Sequence, residues 1–191
     1  ALNAYDGGVA LEGDLLFSGD LDKWIQFANS LKLKALMRIS SRENMADEIA
    51  SIFAAGNYIS NNSDNAVFDF TNSAPNSFRF AQLRAGDFNN FVLSETMEEI
   101  LTDLDDPRIA VFFRPFANST SAEFNGLING INASQTSIEP ANYSLAGTLF
   151  RDNTSELDAN FMTAWETQFI LAEAAAKGYI SADAETLYNT G

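Results

Sequence analysis

From Asp20 to Ile39 apolar residues return at steps of three and four, as Leu21, Trp24, Ala28, Leu31, Ala35 and Ile39, with no proline among them. A helix of 3.6 residues per turn puts such a series on one face. Asp20 stands where an N-cap belongs. Ile25, Phe27, Leu36 and Met37 widen the apolar surface beyond one stripe, which predicts neighbours on two sides. Pro75, Pro107, Pro115 and Pro140 all fall outside the strongly periodic stretches, which are therefore free to be helical.

The same reading places four more helices. Residues 43–55 carry Met45, Ile49, Ile52 and Phe53 on one side, with Gly56 as a stop, and pair with the first helix as a hairpin. Ser94 caps a third helix that is acidic at its start, turns Met97, Ile100, Leu101 and Leu104 inward, and ends at Asp106-Pro107. Thr163-Ala164-Trp165-Glu166 reads as a capping box opening a helix that buries Trp165, Phe169, Ala172 and Ala176 and stops at Gly178. A last helix starts near Ser181-Ala182-Asp183. Residues 1–19 are irregular, with turns at Gly7-Gly8, Gly13 and Gly19. Two long excursions, 57–90 and 108–158, lack the helical period. The first holds the alternating runs Val67-Phe68-Asp69-Phe70 and Phe78-Arg79-Phe80, and the second holds Val111-Phe112-Phe113 and turns at Asn125-Gly126 and Asn129-Gly130. The expectation is a mainly α single domain over 1–191, with helix pairs at both ends, long loop insertions and minor β. Both ends read like the middle of a longer protein.

Composition narrows the function. Eleven basic residues oppose 26 acidic ones, and a charge of −15 repels nucleic acid. Cysteine and histidine are both absent, which removes thiolate metal sites, Cys nucleophiles, Ser-His-Asp triads and His bases. No run reaches the roughly 20 apolar residues of a membrane span. Carboxylates are the remaining acid-base groups. Glu98-Glu99, with Asp103, Asp105 and Asp106, sit on a polar helix face and beside a proline turn, where solvation accounts for them. Glu166 and Glu173 lie seven apart on one helix, but no histidine completes a di-metal site. Asn61, Asn62, Asp64 and Asn65 offer oxygens without the glycine and bidentate Glu of a calcium loop. No catalytic residue, metal ligand or cofactor site is expected.

Two segments say more. Gly19-Asp20-Leu21-Asp22-Lys23-Trp24-Ile25-Gln26-Phe27-Ala28-Asn29-Ser30-Leu31-Lys32-Leu33-Lys34 resembles the Trp-x-x-Phe-Ala-Asn-Ser-Leu-x-Leu-Arg helix of SusD/RagB-like proteins. Met162-Thr163-Ala164-Trp165-Glu166, running into Ala172-Glu173-Ala174, is similar to that family's Met-Thr-Tyr-Ala-Glu helix, with Trp165 where the family often has Ala and Lys34 where it often has Arg. Asp106-Pro107-Arg108, Phe124-Asn125-Gly126 and Tyr143-Ser144 follow in the family's order. The resemblance implies tetratricopeptide-like helix pairs with long loop insertions, in an outer-membrane lipoprotein whose lipid anchor lies outside this chain. It further implies non-catalytic capture of a glycan or peptide, as the lid of a SusC-like TonB-dependent transporter. A tetratricopeptide-like adaptor for another protein is the second reading, and a carboxylate glycosidase the third.

Matching scaffold helices carry over no ligand contacts, so the site is read from residue chemistry. Sugars need aromatic faces and planar hydrogen-bonding groups, which loops on a rigid scaffold usually present. The excursion 57–90 is the richer one. It supplies Asn76, Phe78, Arg79 and Arg84 as the expected ligand-binding residues, with Phe80 and Gln82 beside them. Against this, a strand at 78–80 would bury both Phe and leave only Arg79 in water.

Overall fold

A computed structural model describes residues 12–132 and 138–191. In chain order its helices are α1 Leu21–Ile39, α2 Ala46–Ala55, α3 Ala85–Phe88, α4 Glu95–Asp103, α5 Ile109–Phe112, α6 Ala164–Ala176 and α7 Ala184–Thr190. The strands are β1 Ala66–Asp69, β2 Phe113–Arg114, β3 Leu145–Ala146 and β4 Asp158–Met162. The fold is thus mainly α with minor β. Helix pairs α1/α2 and α6/α7 lie at the two ends of the chain and loop-rich segments lie between them. The chain divides into two compact units, one made of its two ends, up to Phe68 and from Ala159 on, and one made of residues 69–158.

In the first unit, the Asp20 carboxylate accepts from the backbone N–H groups of Asp22 and Lys23 and starts α1. Gly56 ends α2 with φ 66°, a left-handed conformation that suits glycine. The α6 terminus is a full Schellman arrangement, in which Tyr179 N–H donates to Ala174 O and Gly178 N–H to Ala175 O, with Gly178 at φ 74°. Leu33, Leu36 and Met37 of α1 pack with Ile49 and Ile52 of α2, Leu171 and Ala174 of α6, and Ile180. A second cluster joins Phe17, Ile59, Ala66, Met162 and Ala164, with Trp24 and Phe27 packed against it. β1 and β4 form a two-stranded sheet. The turns at Gly13 and Gly19 are present, whereas Gly7-Gly8 lies outside the described residues.

Several sequence expectations fail, each for a physical reason. α1 does not bury the stripe of Leu21, Ala28, Leu31, Ala35 and Ile39, because its core face runs through Ser30, Leu33, Met37 and Ser40. That face hides two serines whose hydroxyls are satisfied inside. Ser30 Oγ donates to Gln26 O and accepts from Ile59 N–H, and Ser40 Oγ donates to Met37 O. Counting apolar residues therefore selects the wrong stripe. α6 exposes Trp165 and Phe169, each 42% exposed, as well as Ala176, and packs instead through Ala164, Thr167, Gln168, Leu171, Ala172 and Ala174. Its small residues permit close helix approach, so bulk is excluded from the contact face. α4 buries only Leu101, leaving Met97, Ile100 and Leu104 exposed.

The expected caps hold better than the expected faces. Ser94 Oγ accepts from Met97 N–H, and Asp183 caps α7 by accepting from Thr186 N–H. Thr163 Oγ1 accepts from Glu166 N–H at 3.4 Å, but the Glu166 carboxylate pairs with Lys34 at 2.5 Å rather than returning to the cap. α2 starts at Ala46, after Asn44 Oδ1 accepts its N–H, and not at Glu43.

The second unit is knitted by short backbone pairings. β2 and β3 run antiparallel with Phe113 opposite Ala146 and Arg114 opposite Leu145. Leu93 N–H donates to Ser144 O, Ala146 N–H to Phe91 O and Leu127 N–H to Leu93 O, so three loop segments share one small ladder. Gly126 allows one close approach. A Cβ there would lie 2.5 Å from the Glu95 backbone.

Candidate functional site

The expected binding segment begins in a pinned turn. Thr71 N–H donates to Asn76 O at 2.8 Å and Thr71 Oγ1 donates to Ser73 O at 2.7 Å. From the second excursion, Thr154 Oγ1 donates to Thr71 O at 2.6 Å, and Ser155 N–H donates to Asn72 Oδ1 at 2.8 Å. The exposed Asn76 is thus held at a fixed place by backbone bonds, with its amide left for solvent.

Residues 78–80 are not a strand. Ala81 N–H donates to Phe78 O and Leu83 N–H to Phe80 O, which winds Arg79–Gln82 into a 3-10 turn. Phe78 and Phe80 enter one aromatic cluster. Ring centroids are 5.4 Å apart for Phe70 and Phe78, 5.2 Å for Phe78 and Phe80, 6.2 Å for Phe78 and Phe150, and 6.0 Å for Phe80 and Phe88. Such edge and tilted pairs contribute beyond area burial alone. Phe78 is therefore half-buried scaffold, whereas Phe91, 4.2 Å from Phe80 and 41% exposed, offers the open ring face.

Arg79 opens the 3-10 turn and Arg84 precedes α3, both exposed and with no side-chain hydrogen bond or ion pair among the described residues. No bond or ring contact joins any two of Asn76, Phe78, Arg79 and Arg84. Two residues missed from sequence lie close by. The Arg114 guanidinium carbon is 5.6 Å from the Phe88 ring centroid and that of Arg151 is 6.0 Å away. A signal for them exists, because Phe78-Arg79, Phe113-Arg114 and Phe150-Arg151 repeat one dipeptide within the second unit.

The carboxylates weighed from sequence have ordinary partners. Glu98 accepts from Thr102 Oγ1 and Glu173 pairs with Lys177 at 2.7 Å. Arg108 donates to both oxygens of Asp106, holding its carboxyl at about 2. Of the loop oxygens at 61–65, Asp64 Oδ2 accepts from the Asn61 amide and Asn65 Oδ1 accepts from Ala164 N–H, while Lys23 Nζ donates to Ser63 O. Among the described residues no group of three or more acidic side chains is placed to hold a metal ion. Elsewhere in the first unit, α1 and α6 flank an open cleft of about 610 Å³ lined by Leu31, Lys34, Ala35, Arg38, Glu166 and Ile170.

The pattern of one family, described as starch-binding and associating with the outer membrane, matches residues 1–191. This chain belongs to the SusD-like family. Its fold matches a SusD homologue from Bacteroides fragilis with a TM-score of 0.75 at 25% identity, covering 95% of this chain and 41% of that one. An outer membrane protein of Bacteroides vulgatus, described in connection with nutrient binding, gives 0.78 at 23% identity, covering 99% and 44%. A chitin-binding SusD homologue from Flavobacterium johnsoniae gives 0.67 at 24% identity, covering 93% and 36%. No curated protein matches in sequence. This SusD-like chain thus spans less than half the length of these solved relatives. The matches agree with the helix pairs and inserted loops described above, and the family description agrees with an outer-membrane setting.

Proposed function

We propose that this SusD-like chain belongs to a non-catalytic outer-surface protein that captures a glycan or peptide nutrient and passes it to a SusC-like TonB-dependent transporter. In this reading a lipid anchor outside these residues holds the protein at the membrane; no described helix is long and apolar enough to cross a bilayer. The observation that carries the reading is the second unit. Exposed Asn76, Arg79 and Arg84 stand on loops braced by a ring cluster, as rigid presentation of a polar ligand requires. A chitin-binding relative of the same fold supports a glycan as ligand.

The test uses the full-length protein on a glycan and peptide array, followed by Asn76→Ala, Arg79→Ala and Arg84→Ala together. Weaker binding at an unchanged melting temperature supports the assignment. Wild-type affinity in the triple variant removes this loop from the site, and an array with nothing retained ends the capture reading. Delivery is checked by co-purification with the transporter encoded beside it.

The open cleft between α1 and α6 favours the adaptor as a second reading, because a groove with Leu31 and Ile170 between charged rims fits a peptide. Retention of a protein through Leu31→Glu-sensitive contacts, with no glycan bound, supports the adaptor instead.

A further inference from the structure

The second unit contains five basic residues, all arginine, while the four lysines lie elsewhere in the chain. Arg108 is neutralised by its two-oxygen contact with Asp106. Of the other four, two lie against one aromatic patch and two stand next to its rings along the chain. Arg114 and Arg151 lie against Phe88, Arg84 stands one helical turn before Phe88 in α3, and Arg79 adjoins Phe80, whose ring contacts Phe88 and Phe91. Arginine differs from lysine in presenting a rigid planar fork that matches the two oxygens of a carboxylate or sulfate.

These guanidiniums are held but not saturated. Arg114 Nε donates to Ala146 O at 2.9 Å and one terminal nitrogen donates to Asn89 Oδ1 at 3.1 Å, which leaves further donors. Arg151 reaches Asp152 at 3.5 Å, and its Nε is buried without a partner. A buried donor without an acceptor is a costly arrangement. The carboxylates beside the patch are Asp87, on α3, and Asp152. Four guanidiniums against two carboxylates make a local positive field in a chain of net charge −15.

We propose that the surface around Phe88 is an anion-selective subsite that takes a carboxylate- or sulfate-bearing sugar unit in preference to a neutral one. The proposal rests on the glycan-capture reading and deepens it by naming the ligand's chemistry. The exposed Phe91 ring meets the apolar face of the sugar, and the arginine forks meet its acidic group.

The experiment measures affinity of the full-length protein for oligogalacturonate, for its carboxyl-reduced neutral counterpart, for a sulfated oligosaccharide and for its desulfated form. A preference for either acidic probe over its neutral twin is expected, with the two arms distinguishing carboxylate from sulfate. Arg79→Gln and Arg84→Gln, both at exposed unpaired positions, each weaken acidic binding about tenfold, as loss of one charge-assisted hydrogen bond does, and leave neutral binding within about twofold. Arg108→Gln, outside the patch, changes neither. Binding of neutral sugars with no acidic preference overturns the subsite and leaves glycan capture standing, whereas no binding of any sugar overturns both. An acidic preference unmoved by both substitutions also overturns the subsite.

Discussion

The Trp24 indole N–H donates to Oδ2 of Asp14 at 2.9 Å, and the same carboxylate accepts from the backbone N–H groups of Leu16, Phe17 and Gly19. One aspartate thereby organises the turn before α1 and seats the ring of Trp24 against Phe17 and Phe27, at 5.2 and 5.9 Å. Trp165 has no such partner and stands 42% exposed. Trp24→Ala should cost about 3 kcal/mol. Trp165→Ala should cost less than about 1 kcal/mol. Urea unfolding of both variants decides the ranking, and equal losses would refute it.

Leu33 is fully buried among Ile49, Leu171 and their neighbours, while Leu31, two residues earlier on α1, is 40% exposed in the open cleft. Leu33→Ala is expected to lower stability by about 2–5 kcal/mol. Leu31→Ala, at a surface position, should stay within about 1 kcal/mol. The reverse order in thermal or urea unfolding would mean that the stripe read from sequence is the packed one.

Backbone closeness predicts a sharp contrast between glycines. A methyl group at Gly126 meets Glu95 Cα at 2.5 Å, and one at Gly147 meets Val111 O at 2.5 Å, whereas one at Gly86 meets nothing within 4 Å. Gly126→Ala and Gly147→Ala should each destabilise by about 1–3 kcal/mol through overpacking. Gly86→Ala, within α3, should be neutral or stabilise by up to about 1 kcal/mol. Melting temperatures of the three variants, measured side by side, test the assignment.

Two carboxyls should titrate far below the usual 3.8. At Asp106 the Arg108 side chain and backbone donate to the carboxylate and outweigh lost hydration, leaving it at about 2. At Asp14 lost hydration pushes upward, but donors from Gly19, Trp24, Leu16 and Phe17 win and also leave it at about 2. Because both values are depressed on folding, the stability they contribute is present above about pH 4 and is lost as pH falls through about 2. Carboxyl chemical shifts should show both midpoints near 2. Arg108→Gln should raise that of Asp106, and Trp24→Phe that of Asp14. Midpoints that stay put in the variants would deny these bonds in solution.

Capping chemistry was legible because it is local. Asp20, Ser94, Thr163 and Asp183 each satisfy backbone donors within three residues, and Gly56 and Gly178 end helices through their own conformational freedom. The run expected at 67–70 is extended up to Asp69, within β1, which pairs with β4, whereas the similar run at 78–80 enters a 3-10 turn. Nothing within three residues separates the two. The difference lies in the rings of Phe70, Phe88, Phe91 and Phe150 that gather Phe78 and Phe80 to one side. Of the four expected site residues, Asn76, Arg79 and Arg84 are exposed, and Phe78 is half-buried, as the burial weighed against it from sequence anticipates, but through ring packing and not through a strand.

By itself, the sequence determined a mainly helical chain, its caps and stops, its family, and the absence of thiol and imidazole chemistry. These follow from residue types and short-range spacing. Tertiary structure alone decided which face each helix buries, because α1 carries two usable stripes and only contact with α2 and α6 selects the one containing Ser30 and Leu33. It alone brought Arg114 and Arg151, 26 or more positions along the chain, against Phe88. Long-range packing sets such meetings, and no periodicity in the chain encodes them.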